Sequence, residues 1–460
     1  MRPLRASRCA LRGDIAVRPT AAPRFAVRGD LAGLGTRERS LLLERRFTAD
    51  PTLHERVAEI IKCVVRDGDA ALVALAKALD GVELEQLEVP REACVRALDA
   101  LDPALRRVMQ RAADNITRVH RAIPIAATET EPEPGITVGR RPDPLARVGV
   151  YAPGGRAPYP SSVLMGVIPA RVARVGEIVL CSPPRKETGR PPDVVLAAAE
   201  LCGVDRVFAV GGAGAIAAMA YGTLTIPRTD LIVGPGNAYV AAAKLMVRDV
   251  VATDAPAGPS ELLIIADESA DSDVIAREML AQAEHDPDTC VACVVIGSSA
   301  DAVERALSTR LAGLSRASTI TAALAARGAL LTAVSLEAAL GFAEVFAPEH
   351  LLLAIKNAEA VLPRVRSAGT VFLGESSSVT FGDYMTGANH VLPTSGLARC
   401  YSGLSTLDFV RWTTYQRVSP AAAQRLAGDV AAFADAESLT AHAMAARAWE
   451  ASAVAAEVGT

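Results

Sequence analysis

The spacing of apolar residues changes along the chain from a helical pattern to alternating strands and helices. Residues 51–122 carry apolar side chains three and four positions apart, with a glycine break, which predicts amphipathic helices. From about residue 145, short apolar runs alternate with longer helical segments. Repeated strand and helix units predict a parallel sheet with helices on both faces.

Two such series follow one another. One runs from "ARVGVY" to "AYVAAAKLMV", and the other begins at "ELLIIA" and includes "CVACVVIG". We therefore predict an α/β protein with two similar Rossmann-like doubly wound units, a helical N-terminal segment and a helical C-terminal tail. The predicted boundaries are a leader without stable structure at 1–40, one α/β domain from 41–150 and 259–400, a second from 151–258, and a tail at 401–460.

The composition is that of an enzyme-like globular chain. Half of the 460 residues are hydrophobic, and the net charge is −4 without a concentrated basic stripe, so nucleic acid is not an expected partner. The long uncharged stretch 207–227 contains glycines and a proline, which favours strand, turn and helix over a membrane span. No membrane association is predicted.

The eight cysteines are scattered, which favours reduced structural thiols in the cytoplasm over a disulfide framework. Cys290 and Cys293 are close in sequence, but alternation along a strand places their sulfurs on opposite faces. The first thirty residues are rich in arginine and poor in acids. They are interpreted as a bacterial leader in a cytoplasmic protein, with an organellar transit peptide as the alternative.

Glycine loops follow several predicted strands. Gly212-Ala-Gly214-Ala-Ile-Ala217 matches G-x-G-x-x-A between a strand and a helix. The next strand, "DLIVGPG", ends without the acidic residue expected to hold a ribose, so an ordinary dinucleotide site is only weakly indicated. The loops "YAPGGRAPYPSS" and "VGPGN" also lie at carboxyl ends of strands, where open sheets bind ligands.

The histidines indicate a candidate metal site. Only six are present, and His54 and His120, in polar helical surroundings, are predicted at the surface. The other four each lie near a carboxylate or an amide: His285 near Gln282, His350 beside Glu349, His390 after Asp383, and His442 after Glu437. Gln282 and His285 close the predicted helix 272–285, which Asp286-Pro287 ends.

Imidazole, carboxylate and carbonyl oxygen together suit zinc without thiolates. No single spacing is a known zinc fingerprint, so structural histidines remain the alternative at this point.

Long segments of the chain resemble the histidinol dehydrogenase family. They are "GVYAPGGRAPYPSSVLMGVIPARVA", "AVGGAGAIAAMAYGT", "VGPGNAYVAAAKL", "DAPAGPSELLIIADESADSDVIAREMLAQAEHDPD", "FAPEHL", "FGDYMTGANHVLPT", "SGLSTLDF" and "ESLTAHA". The resemblance covers about residues 40–450 in the family's order. It implies NAD-dependent, four-electron oxidation of L-histidinol through L-histidinaldehyde to L-histidine, the last steps of histidine biosynthesis. It also implies one zinc per subunit and a homodimer with a shared active site.

The resemblance also implies residue roles. It places the zinc and acid–base residues in the 41–150 and 259–400 domain, the cofactor in the 151–258 domain, and dimerisation in the tail. The implied zinc ligands are Gln282, His285, Asp383 and His442. Glu349 and His350 are the implied catalytic pair. The implied substrate contacts are Ser260, His390 and Glu437, together with His350 and the four zinc ligands. Cofactor positions are Tyr151, Gly214 and Asn237.

One position departs from the family. Gly214 stands where the family usually has glutamine, which puts cofactor affinity in doubt more than reaction type. The nearest rival function is a zinc- and NAD-dependent dehydrogenase of another amino alcohol or polyol. A non-redox zinc hydrolase with Glu349 as base is a rival from another class, against which the glycine loops argue, and a non-catalytic metal-binding protein is the third.

Overall fold

The computed structural model describes residues 23–45, 51–154, 158–297 and 300–457, with side chains up to residue 450. The chain forms two compact units. Unit 1 comprises Met1–Ala49, Ala257–Gly382 and Leu392–Gly403, and unit 2 comprises Asp50–Pro256, Asp383–Val391 and Leu404–Thr460.

The strands of the described residues are, in chain order, β1 (Val27–Asp30), β2 (Glu88–Val89), β3 (Thr128–Glu133), β4 (Ile136–Pro144), β5 (Arg147–Tyr151), β6 (Glu177–Ser182), β7 (Arg206–Ala209), β8 (Leu231–Val233), β9 (Ala252–Thr253), β10 (Glu261–Ala266), β11 (Cys290–Ile296), β12 (Ala329–Ala333), β13 (His350–Ala354), β14 (Thr370–Leu373) and β15 (Val410–Val418). The helices are α1 (Thr36–Leu43), α2 (Pro51–Asp67), α3 (Asp69–Leu75), α4 (Arg91–Asp99), α5 (Pro103–Arg121), α6 (Pro160–Val172), α7 (Asp193–Cys202), α8 (Gly212–Tyr221), α9 (Ala238–Met246), α10 (Ser272–Ala283), α11 (Asp301–Leu311), α12 (Ala317–Arg327), α13 (Leu336–Phe346), α14 (Ala358–Val361), α15 (Val379–Tyr384), α16 (Pro420–Ala436) and α17 (Thr440–Glu457).

Unit 1 contains a six-stranded parallel sheet of order β1-β12-β11-β10-β13-β14. Alternate residues of β10 enter separate cores, with Leu262 and Ile264 on one face and Leu263 and Ile265 on the other. A strand covered on both faces is apolar throughout, which is why "ELLIIA" lacks alternation. Cys293 and Cys290 belong to these opposite cores, as predicted.

Unit 2 contains a second six-stranded sheet of order β2-β7-β6-β5-β8-β9, which is parallel except that β2 pairs antiparallel with β7. In both sheets the chain winds outward from a central strand, β10 or β5, and then continues on that strand's other side. The predicted doubly wound pair of sheets is therefore confirmed. The uncharged stretch 207–227 forms most of β7, a turn and α8. No helix of the described residues is long and apolar enough to cross a membrane.

The division into units differs from the boundaries expected from the sequence. The helices of residues 51–121 belong to unit 2, because α2 packs on α8 and α9, and α4 packs on α7. The strand β2 likewise pairs with β7. Helical periodicity shows that these segments have an apolar face, but it does not show which sheet covers that face.

The predicted leader was placed too far along the chain. Residues 1–22 lie outside the described residues, but Val27–Asp30 pairs in parallel with β12, and α1 follows. Val27 is buried in the unit 1 core. The apolar contacts of Val27 and the pairing with β12 hold β1 in place, although the composition of this segment alone resembled a leader.

A three-stranded antiparallel sheet, β15-β4-β3, belongs to unit 2 and was not predicted. Every residue of β3 is exposed, so its sequence carries no apolar alternation. The tail predicted as helical over 401–460 contains the strand β15 at Val410–Val418, and it is helical only from Pro420 onward. There α16 and α17 form a hairpin that packs through small side chains such as Ala431, Ala434 and Ala443.

Candidate active site

The predicted acid–base pair lies at the start of β13 in unit 1. The side chains of Glu349 and His350 are both buried. The main chain of Glu261, on the neighbouring strand β10, contacts both: its N–H donates to Glu349 Oε2 at 2.7 Å, and its carbonyl oxygen lies 2.9 Å from His350 Nδ1. Because a carbonyl can only accept, Nδ1 carries the proton and the neutral imidazole has its basic lone pair on Nε2.

The location of this pair differs from that of the glycine loops. β10 and β13 both begin at these residues, so the pair lies at the amino-terminal edge of the unit 1 sheet. In unit 2 the segments after β5, β7 and β8 are the glycine loops, at the carboxyl-terminal edge. Residues 155–157 of the first of these loops lie outside the described residues.

Two further residues beside the pair escaped the sequence-based prediction. The side chains of Arg45 and Glu261 form a buried ion pair, with Nε to Oε1 at 2.7 Å and Nη2 to Oε2 at 3.1 Å. Burial raises the pKa of Glu261, and the Arg45 guanidinium opposes that rise. The two residues are 216 positions apart, so no local motif connects them. The sequence signal that could have identified this pair is Glu261, a charged residue at the start of the otherwise apolar strand β10.

Gln282 and His285 close α10 as expected, although the helix ends at Ala283 rather than at residue 285. The Gln282 side chain is buried and its Nε2 has no hydrogen-bond partner among the described residues. His285 is exposed, and its backbone N–H donates to the backbone carbonyl of Gln282 at 3.3 Å. The orphaned Nε2 is a donor and fits a hydrogen-bond acceptor, whereas a metal ion would be bound by the Gln282 carboxamide oxygen and the His285 imidazole.

Asp383 and His390 are brought together within unit 2. His390 Nδ1 lies 2.9 Å from the backbone carbonyl oxygen of Asp383, at the end of α15. The intervening segment is anchored because Asn389 donates its amide to the Met165 carbonyl at 2.8 Å. Nδ1 of His390 is therefore engaged by the backbone, and the ring orientation is fixed.

Glu437 and His442 lie at the junction of the two tail helices. Glu437 follows α16 directly and His442 lies in the first turn of α17, and both are exposed. Among the described residues, no group of three or more His, Cys, Asp or Glu side chains stands in a metal-holding arrangement.

The three predicted cofactor positions lie in unit 2, and each has defined hydrogen bonds or packing neighbours. The hydroxyl of Tyr151 accepts the Gly212 N–H at 3.1 Å, and burial raises the pKa of Tyr151 to about 12. Asn237 caps α9 by accepting the N–H groups of residues 239 and 240. Gly214 is a buried residue in α8, where an added Cβ would lie 3.1 and 3.3 Å from leucine methyl groups of α3.

A second buried ion pair holds the "VGPGN" loop. Lys244 Nζ donates to the Gly234 carbonyl at 2.9 Å, and Asp254 accepts the Gly234 N–H at 2.8 Å, while the two side chains pair with each other. Gly234 has a φ of 115°, and a Cβ there would overlap the Tyr151 carbonyl. Position 234 therefore requires glycine, and both the N–H and the carbonyl of Gly234 are held by hydrogen bonds.

The remaining predicted positions are Ser260, His54 and His120. Ser260 is half-buried before β10, and its carbonyl accepts the Cys290 N–H at 3.0 Å. His54 is half-buried. The surface prediction for His120 was wrong: it is 2% exposed, its Nδ1 lies 3.2 Å from the Thr406 hydroxyl, and burial lowers its pKa. Its position on the inward face of α5 decides this, not the polarity of its neighbours in sequence.

Comparison with known proteins identifies the family of the chain. The family model described as histidinol dehydrogenase matches residues 43–449. The chain belongs to the histidinol dehydrogenase family. It is 47% identical over 400 residues to the histidinol dehydrogenase of Methanosarcina barkeri, covering 85% of this chain and 92% of that one. It is 45% identical to that of Methanothermobacter thermautotrophicus, covering 88% and 96%.

A solved structure supports the fold across the whole family region. The crystal structure of histidinol dehydrogenase from Elizabethkingia anophelis superposes with a TM-score of 0.87 at 34% identity, covering 93% of this chain and 99% of that one. Membership of this family makes the chain an oxidoreductase.

Proposed function

We propose that the chain oxidises L-histidinol through L-histidinaldehyde to L-histidine with NAD, in the last steps of histidine biosynthesis. The observation that carries the proposal is the buried Glu349–His350 pair, in which the Glu261 backbone fixes the proton on His350 Nδ1. A base with that tautomer is what removal of a proton from an alcohol needs.

His350 is proposed to serve both oxidation steps. Its Nε2 accepts the proton from the alcohol, returns it to the aldehyde oxygen as water adds, and then accepts a proton from the hydrated aldehyde. Glu349 is proposed to accept a proton from the water that hydrates the aldehyde. One of its oxygens is held by the Glu261 N–H, and the carboxylate has a second oxygen for that water.

Zinc and NAD complete the proposed chemistry. The donor set for zinc is Gln282, His285, Asp383 and His442, whose carbonyl oxygen, imidazole and carboxylate groups suit this ion. When bound, zinc would supply a Lewis acid that orients the substrate, and NAD would supply the hydride acceptor. The residues proposed near NAD are Tyr151, Gly214 and Asn237. Ser260, His390 and Glu437 are proposed to contact the substrate.

The tail is proposed to complete the site of a second copy of the chain. Glu437 and His442 are exposed, as are the large apolar side chains of Phe433 (73%) and Met444 (69%) on the same hairpin. A hairpin that packs internally through alanines leaves such side chains to be covered by another surface. A homodimer with a shared site covers them and uses both polar residues.

The proposal is tested by following NADH absorbance with L-histidinol and a panel of other amino alcohols and polyols. We expect L-histidinol to be oxidised far faster than the panel, with histidine as the product. Removal of zinc by a chelator is expected to abolish activity while circular dichroism stays unchanged, because both sheets have their own cores. Full activity in a sample shown by elemental analysis to lack metal would contradict the zinc assignment.

A further inference from the structure

Arg45 connects three segments of unit 1 around the acid–base pair. Besides its two bonds to the Glu261 carboxylate, the guanidinium donates to the backbone carbonyls of Leu42 and Phe346. It also lies over the Phe346 ring, with Cζ 3.7 Å from the ring centroid. The planar fork of arginine makes several such bonds at once, which lysine cannot do.

Two of the residues that Arg45 contacts, Phe346 and Glu261, are close to the acid–base pair. Phe346 lies three residues before Glu349, at the end of α13. Glu261 supplies the backbone N–H and carbonyl that fix Glu349 and His350. One guanidinium therefore anchors both the segment that carries the pair and the residue that orients it.

The Glu261 carboxylate has a third partner. Ser395 donates its N–H to Oε1 at 2.7 Å, and the Ser395 hydroxyl donates to the Arg45 carbonyl at 2.9 Å. The ion pair is thus fully satisfied although both side chains are only 2% exposed. A buried ion pair adds little stability compared with well-packed apolar side chains. What the ion pair provides, and an apolar pair would not, is a set of directed hydrogen bonds that fixes the positions of the groups around it.

We propose that Arg45 and Glu261 are positioning residues, which hold the Glu349 carboxylate and the Nδ1-protonated tautomer of His350 through the backbone of residue 261. This inference rests on the proposed function, since it assigns the pair to histidinol oxidation. Neither residue touches the reacting atoms in this scheme; both act through the groups that do.

The variant Glu261→Gln tests the proposal. A carboxamide keeps the size of the side chain, and its oxygen can still accept from Arg45 Nε and Ser395. Its NH2 group then faces Arg45 Nη2. Because both groups are hydrogen-bond donors, this bond is lost and Arg45 holds residue 261 less firmly. We expect kcat with L-histidinol to fall about tenfold to a hundredfold, the loss typical of a displaced catalytic group. KM for histidinol and for NAD is expected to change by less than about twofold.

The variant Glu88→Gln is the matched control. Glu88 forms the same two-bond contact with an arginine, with Arg206 Nε and Nη2 at 2.9 and 2.7 Å, between β2 and β7 of unit 2. Its kcat is expected to equal that of the wild type. The second test variant is Arg45→Lys, which keeps the charge but not the fork, and is expected to lower kcat with unchanged KM.

A readout independent of activity separates this inference from the proposed function. The chain has six histidines, so nitrogen-15 histidine labelling gives a spectrum that can be assigned by single substitutions. The wild type is expected to show His350 as the Nδ1-protonated tautomer. In Glu261→Gln the His350 signals are expected to shift or broaden, and in Glu88→Gln they are expected to stay.

Three results would overturn either the positioning role of Arg45 and Glu261 or the proposed function. A folded Glu261→Gln protein with wild-type kcat and an unchanged His350 spectrum overturns the proposal. If Glu261→Gln and Arg45→Lys both fail to fold, the pair serves the core rather than orientation, and the proposal is wrong. If the wild type does not oxidise histidinol, the proposed function fails, while the His350 spectra still test whether the pair sets the tautomer.

Discussion

Replacing Arg45 by methionine removes the cation beside a carboxylate that is almost completely buried. Among the described residues, the Glu261 carboxylate then keeps only the Ser395 N–H as a partner, and the carbonyls of Leu42 and Phe346 each lose a donor. Breaking a buried pair on one side costs about 3–5 kcal/mol. The unsatisfied carbonyls place the expected loss of unfolding free energy at the upper end of that range.

The loss is expected to depend on pH. Burial raises the pKa of Glu261 even with Arg45 present, and Arg45 acts against that rise, so its removal raises the pKa further. The unfolded value is about 4.3. A buried acid with a raised pKa stabilises the folded state while protonated, and that contribution disappears as the pH rises through the folded-state value. The deficit of Arg45→Met relative to the wild type is therefore smaller at acidic pH than at neutral pH.

Hydrogen-exchange mass spectrometry in increasing urea measures this effect locally. Both tryptophans, Trp412 and Trp449, belong to unit 2, so peptides from β10 and β13 report on unit 1 better than fluorescence does. The control Arg206→Met, followed in peptides from β7 of unit 2, breaks a pair whose side chains are 31% and 38% exposed, and is expected to cost about 1 kcal/mol or less. The double variant Arg45→Met/Glu261→Leu is expected to recover most of the stability. Equal exchange in Arg45→Met and the wild type would refute the reasoning.

Three further predictions concern the site. Glu349→Gln is expected to oxidise histidinol to the aldehyde but to oxidise supplied histidinaldehyde poorly, whereas His350→Ala impairs both steps; an unaltered aldehyde rate in Glu349→Gln refutes the division of roles. Gly214→Gln is expected to tighten NAD binding, measured by titration, by about 0.5–1.5 kcal/mol from one regained hydrogen bond, since no positive φ is recorded for this glycine and two leucine side chains need to move only slightly. A large loss of NAD affinity with the fold intact would show that glycine is required there. Mixing inactive His285→Ala and His442→Ala chains is expected to restore roughly a quarter of wild-type activity if His442 serves the partner's site, and nothing if it serves its own.

Most of the regular structure of the two sheets could be predicted from the sequence. Runs such as "ELLIIA" and "EIVLCS" are buried on both faces, and their apolar content reflects this directly. The candidate residues 282, 285, 349 and 350 could be proposed from the sequence because they occur in short, contiguous motifs. The confirmed opposite facing of Cys290 and Cys293 needed only strand alternation.

The features that were missed depend on distant parts of the chain. The strand β3 is fully exposed and forms through its pairing with β4, so its own residues give no periodic signal. The strand β1 and residue Arg45 are fixed by partners more than two hundred residues away. His120 is buried by the face of α5 on which it lies, beside Thr406. Long-range contacts of this kind are not encoded in local periodicity.

The central claim is that the buried Glu349–His350 pair supports both oxidations of histidinol to histidine. The most direct measurement is the amount of NADH formed per L-histidinol consumed by the purified, zinc-loaded protein, with the product identified by mass spectrometry. We expect two NADH per histidinol and L-histidine as the product, with the second NADH lost in Glu349→Gln. One NADH with accumulation of the aldehyde in the wild type, or no NADH above background, would contradict the account.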